Sequence, residues 1–90
     1  MERVEIYLSE NADWNLFNRV ATELKQTLGG KWVVQADGLD QRYWDLEVEG
    51  QTLTLHLEHY TGIMLLVKNA DPQWVASERF QSVVKWLQKF

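Results

Sequence analysis

The chain contains no cysteine and a single proline. Without thiols it can form no disulfide, no thiolate metal site and no cysteine nucleophile. It also lacks any apolar run close to the roughly 18–20 residues that span a bilayer. The first ten residues, MERVEIYLSE, carry Glu2, Arg3, Glu5 and Glu10, so they do not read as a signal peptide. A cytoplasmic location and no membrane association are the resulting expectations. Clustered Lys and Arg are missing as well: nine basic residues stand against thirteen acidic ones, for a net charge of −4. Nucleic-acid binders neutralise phosphates with such clusters, so that class of partner is disfavoured.

What the sequence does have is large apolar side chains. Hydrophobic residues make up 46% of the 90, including five Trp, three Tyr and three Phe. Disordered chains are poor in these types. The length fits one core, so residues 1–90 are read as a single compact α+β domain. Charge is unevenly spread. Residues 37–60 set Arg42 against Asp37, Asp40, Asp45, Glu47, Glu49 and Glu58, for −5, whereas residues 61–90 carry +2. An acidic middle favours a basic partner, a cation or simple solubility.

Hydrophobic periodicity sets the elements. Val4, Ile6 and Leu8 alternate with Glu5 and Tyr7 as a half-buried strand. Asn11 or Asp13 then caps a helix whose apolar positions, Trp14, Phe17, Val20, Ala21, Leu24 and Leu28, fall on one face. Gly29-Gly30 ends it. Lys31 to Asp37 reads as a strand with Trp32, Val34 and Ala36 facing the core and Val33 and Gln35 facing out. Asp37-Gly38-Leu39-Asp40 is turn chemistry. Arg42 to Glu49 is a strand with Trp44, Leu46 and Val48 inward. After Gly50, Thr52 to His59 is another, with Leu53, Leu55 and Leu57 inward. A three-residue loop, Tyr60-Thr61-Gly62, predicts Leu57 opposite Leu65 and Leu55 opposite Val67. Ile63 to Lys68 is apolar on both faces, so it is not a bare edge, and the first strand is placed beside it.

Asp71-Pro72 begins a second helix that the pattern carries to the C-terminus. Its apolar stripe is Ala76, Phe80, Val83, Val84, Leu87 and Phe90, with Trp86 at the stripe's border as the most exposed tryptophan. The order is β-α-β-β-β-β-α. Two amphipathic helices packed on one face of a mostly antiparallel five-stranded sheet give a two-layer α+β sandwich.

One sheet face is then left open. Its residues are Glu5, Tyr7, Val33, Gln35, Tyr43, Asp45, Glu47, Thr54, His56, Glu58, Met64 and Leu66. Tyrosines, Met64 and Leu66 among acids suggest an interaction surface, because Tyr and Met are enriched at interface cores. Tyr7, Tyr43, Asp45, Glu47, His56, Glu58, Met64 and Leu66 are its candidate residues. Two hairpin registers at Gly50 place Asp45 either directly opposite His56 or diagonal to it. Asp45, Glu58 and His56 are thus a candidate small-molecule or divalent-metal site. The competing account is an ordinary solvated strand face, on which a cross-strand Asp–His pair is structural. His56 and His59 fall on opposite faces of a strand, so they do not make a paired-His site. No phosphate loop, nucleophile elbow, zinc-protease or EF-hand pattern is present. No catalytic residue and no cofactor are assigned, and the chain is not read as an enzyme.

The same order of elements, with WDLEVEGQTLTLHLEHYTG in the middle and a terminal helix ending WLQKF, resembles a small bacterial family of unknown function over the whole chain. The resemblance implies a compact fold in a bacterial cytoplasm and carries no functional residues with it. The function expected is therefore a non-enzymatic protein–protein interaction module or homodimer using the outer sheet face. The alternative is a ligand or metal site around His56, Asp45 and Glu58.

Overall fold

A computed structural model describes residues 2–89. Strand β1 spans Glu2–Ser9, helix α1 Trp14–Leu28, β2 Lys31–Asp37, β3 Gln41–Val48, β4 Gln51–Glu58 and β5 Gly62–Ala70. Two helical segments follow, α2 over Pro72–Val75 and α3 over Glu78–Leu87. The strands form one sheet in the order β1-β5-β4-β3-β2, antiparallel at every junction. The β5 strand, apolar on both faces from Ile63 to Val67, is interior.

Local chemistry starts and stops each element. The Asp13 carboxylate accepts from the amides of Asn15 and Leu16, satisfying donors that have no partner in the first turn of α1. Gly29 closes that helix at φ +75°. Glu49 and Gly50, at φ +49° and +80°, form the two-residue turn between β3 and β4, with both φ positive as a primed turn demands. Asp71 caps α2 through the amide of Gln73, and its own amide donates to the side chain of the buried Gln51.

The core lies between the sheet and the helices. Phe17, Val20, Leu24 and Leu28 of α1 and Phe80, Val83 and Leu87 of α3 pack with Leu46, Leu53, Leu55, Leu57, Leu65 and Val67. Arg79 of α3 ties the layers at one end, bonding the Glu49 carboxylate and the carbonyl of Leu28.

The structure corrects four expectations. The C-terminal helix is not continuous: Ser77 accepts from the amide of Phe80 and starts a new helix. Ala76 is therefore an exposed junction residue rather than part of the stripe, and Phe90 lies outside the described residues. Trp86 is half-buried against the core, like the other four tryptophans, and not exposed. The β4–β5 register is displaced by two residues, with Glu58 opposite Gly62, Leu57 opposite Ile63 and Leu55 opposite Leu65. An even displacement preserves every facing, which is why the alternation alone did not detect it. Finally, β2 bulges at Val33. Trp32 pairs with Leu46, but Val34 pairs with Asp45 and Ala36 with Tyr43. Val34 and Ala36 therefore face outward, and Gln35 and Asp37 turn to the helix side.

Candidate interaction surface

The face away from the helices is organised in rows. Tyr7, Met64, His56, Tyr43 and Ala36 are successive cross-strand partners and form one row over all five strands. Glu5, Leu66, Thr54, Asp45 and Val34 form the next. Thr52, Glu47 and Lys31 continue a third, with Lys68 at its β5 end. The first row is the apolar one. Tyr7 is 71% exposed and Tyr43 43%, while Met64 and His56 are half-buried between them. The rings of Tyr43 and His56 meet edge to face at 6.2 Å.

Leu66 is 7% exposed yet stands outside the core cluster. Its cross-strand partners are Glu5 on β1 and Thr54 on β4. It supports the surface from beneath rather than presenting itself to a partner. Arg3, Lys31 and Lys68 join Glu5, Asp45, Glu47 and Glu58, so the face carries both signs and is less acidic than the sequence grouping implied. Arg3 is paired with Glu5 at 2.7 Å.

His56 and Glu58 line one small cavity with Tyr7, Thr61 and Met64, whereas Asp45 lies outside it. The register puts Asp45 opposite Thr54, whose hydroxyl donates to it at 2.6 Å, and so diagonal to His56. Glu58 accepts from the hydroxyl of Thr61 at 3.0 Å. Each carboxylate is already engaged by a neighbouring hydroxyl. Among the described residues, no group of three His, Asp or Glu side chains is placed to hold a metal ion. His59 is an exposed turn residue, its amide donating to the carbonyl of Asp40.

The matching family model is described as "Protein of unknown function (DUF3630)" and aligns with residues 1–88. The chain belongs to that family. No curated protein and no solved structure matches it. Membership in DUF3630 agrees with the resemblance read from the sequence and assigns no activity. No described helix is long and apolar enough to cross a membrane.

This DUF3630 chain also holds a cluster that the sequence reading missed. Arg42 shares a face with Trp44 and Leu46, so its charge points toward the core side. There its guanidinium lies 4.6 Å from the ring centre of Trp14, 5.0 Å from Phe17 and 4.7 Å from Trp44. It donates to Asp37 at 2.9 Å and to the side-chain oxygen of Asn18 at 2.7 Å. The Trp44 indole N–H also donates to Asp37, at 2.9 Å. That bond, followed by those from Arg42, holds the Asp37 carboxyl below its ordinary range. The available signal was parity: Arg42 is a charge on an otherwise apolar strand face, and such a charge needs partners. The rings and acceptors around the guanidinium tie β3 to α1 and to the end of β2. Beside it, Trp32, Trp44 and Ala21 floor an open cleft of about 410 Å³ rimmed by Thr22, Lys25 and Gln26. The Lys25 ammonium is engaged by the carbonyl of Gly30.

Proposed function

We propose that the chain is a non-enzymatic association module and that the outer sheet face binds a second copy of itself. The observation that carries the reading is the row Tyr7–Met64–His56–Tyr43, amphipathic and open on one side, above a buried Leu66. Tyr and Met contribute large contact area while tolerating water in the free state. Five strands about 4.8 Å apart and eight residues rising about 3.3 Å each give a face of roughly 600 Å² per copy. Doubled, that reaches the lower end of stable interfaces, about 1,200 Å². Mixed charge suits a like partner better than a strongly basic one.

Molar mass by light scattering across a concentration series tests the proposal. The expected result is a dimer near twice 10.6 kDa. Tyr7→Glu with Tyr43→Glu should return it to monomer without changing the far-ultraviolet circular dichroism. Both tyrosines are well exposed, so these charges test the surface and not the core. Leu66 is unsuitable for that purpose because it is buried. A wild-type monomer up to about 1 mM, the scale of the weakest specific complexes, removes self-association. The face would then be left to a different protein partner.

A further inference from the structure

We propose that the cavity at the turn end of β4 and β5 binds a primary alkylammonium group. The cavity holds about 190 Å³. It lies over the start of β5, with Tyr7 of β1 on one side, His56 and Glu58 of β4 on the other, and Met64 and Gly62 between them. At the roughly 30 Å³ that one water takes up in the liquid, it admits about six non-hydrogen atoms. It opens on the outer sheet face, but its lining is complete within one copy, so it does not rest on self-association.

The lining selects the ligand. Glu58 and His56 are half-buried. Among the described residues no Lys or Arg pairs with Glu58, and none lines the cavity. The carboxylate accepts only from the Thr61 hydroxyl, at 3.0 Å. That bond uses the one proton of the hydroxyl and leaves its oxygen to accept. Among the described residues no group hydrogen-bonds the His56 side chain, whose ring meets Tyr43 edge to face. A neutral imidazole keeps one nitrogen as an acceptor. The cavity is therefore rich in acceptors, poor in donors and uncompensated in charge.

An alkylammonium supplies what is missing, a positive charge and three N–H donors for the acceptors of Glu58, His56 and Thr61. Its stem meets the Tyr7 ring and the Met64 thioether, both of which suit the surroundings of a cation. A quaternary ammonium has the charge without the donors. An anion faces Glu58. A divalent metal finds only His56 and Glu58 here, short of a group of three.

The probe is n-butylammonium, titrated into isotope-labelled wild type and followed through backbone amide signals. At about pH 8 a free imidazole is neutral and an alkylamine is still charged. Sodium chloride holds the ionic strength constant. The expected result is saturating shifts at His56, Glu58, Gly62 and Met64 but not at Asp45 or Glu47, with a dissociation constant near about 1 mM, the scale for so small a ligand. Butan-1-ol and tetramethylammonium should each bind at least about tenfold more weakly, and so should butylammonium to Glu58→Gln, because the charge-assisted bond is the strong one. Shifts spread alike over all acidic residues, or no saturation below about 50 mM, overturn the site. So does either control ligand binding as tightly as butylammonium, or a Glu58→Gln variant that binds as wild type does.

The group has two sources, a free amine or a lysine side chain, and Nα-acetyllysine methylamide separates them. Binding as tight as that of butylammonium assigns a lysine side chain; binding about tenfold weaker assigns a free amine. The titration is run at two protein concentrations a decade apart. A site seen at both, or only in the dilute sample because association covers it, supports the proposal. A site seen at neither overturns it and leaves self-association to the light-scattering test.

Discussion

At the scale of the residue, Asp37 and Arg42 show how one charge pair is placed by its surroundings. Arg42 is largely covered, with 14% of its side chain exposed, while Asp37 remains 49% exposed. Three rings and the Asn18 side chain fix the guanidinium, and the guanidinium with the Trp44 indole then fixes the carboxylate. Donation to a carboxylate favours its charged form and lowers its pKa. The consequence for stability has a definite sign. A carboxyl held below its ordinary value of 3.8 contributes stability above that value, and the contribution is lost as pH falls through the folded-state pKa. Asp37→Asn keeps the shape but has no proton to take up. The gap in melting temperature between wild type and Asp37→Asn should therefore be constant from pH 7 to about pH 5 and close below pH 3.8. Thermal scans between pH 7 and pH 2 measure it. A gap that stays constant through the acid range would mean that Asp37 has the same pKa folded and unfolded.

Among the elements, the β4–β5 hairpin carries a glycine pressed against a neighbouring strand. Gly62 sits at φ +85°, and a Cβ there would collide with the backbone carbonyl of Ser9 on β1. Gly29, at φ +75°, has open space around it. The two glycines separate backbone strain from crowding. Gly29→Ala should cost about 1 kcal/mol. Gly62→Ala should cost about 3 kcal/mol or more, because strain and the collision add. Urea unfolding of the two variants gives the comparison, and equal costs would mean that β1 yields freely. The same hairpin marks where the sequence stops being legible. Period-two alternation established which residues of β1, β3, β4 and β5 face the core and which, Tyr7, Met64, His56 and Tyr43 among them, face out; that these four meet in one row rests on the observed β4–β5 register. Alternation is blind to a shift of two, and the close approach of Gly62 to Ser9 is a tertiary fact. The bulge in β2 left no trace because Val33 and Val34 are both apolar, so either facing was acceptable. The break before α3 did leave a trace in Ser77, a cap residue, which the continuous apolar stripe obscured. Arg42 was visible as a charge out of place, but its ring partners come from α1 and could be found only once the helix was packed.

For the molecule as a whole, self-association links stability to concentration. Anything that binds the folded state alone stabilises it, and a second copy is such a ligand. If unfolding also separates the copies, each tenfold rise in protein concentration adds about 1.4 kcal/mol to the dimer. For two chains of this length unfolding together, 1 kcal/mol moves the melting temperature by roughly 2–4 °C. The wild-type melting temperature should therefore rise by about 4 °C per decade of concentration above the dissociation constant. A domain that stays monomeric has no such slope. Tyr7→Glu with Tyr43→Glu should abolish the slope while leaving the melting temperature near that of dilute wild type, since neither ring belongs to the core cluster. This readout is independent of the molar mass measured by light scattering. A slope retained in the double variant would place the contact elsewhere, at an edge despite its bulges or along the cleft of Trp32 and Trp44. A slope lost together with a large fall in melting temperature would mean that the tyrosines hold the sheet itself.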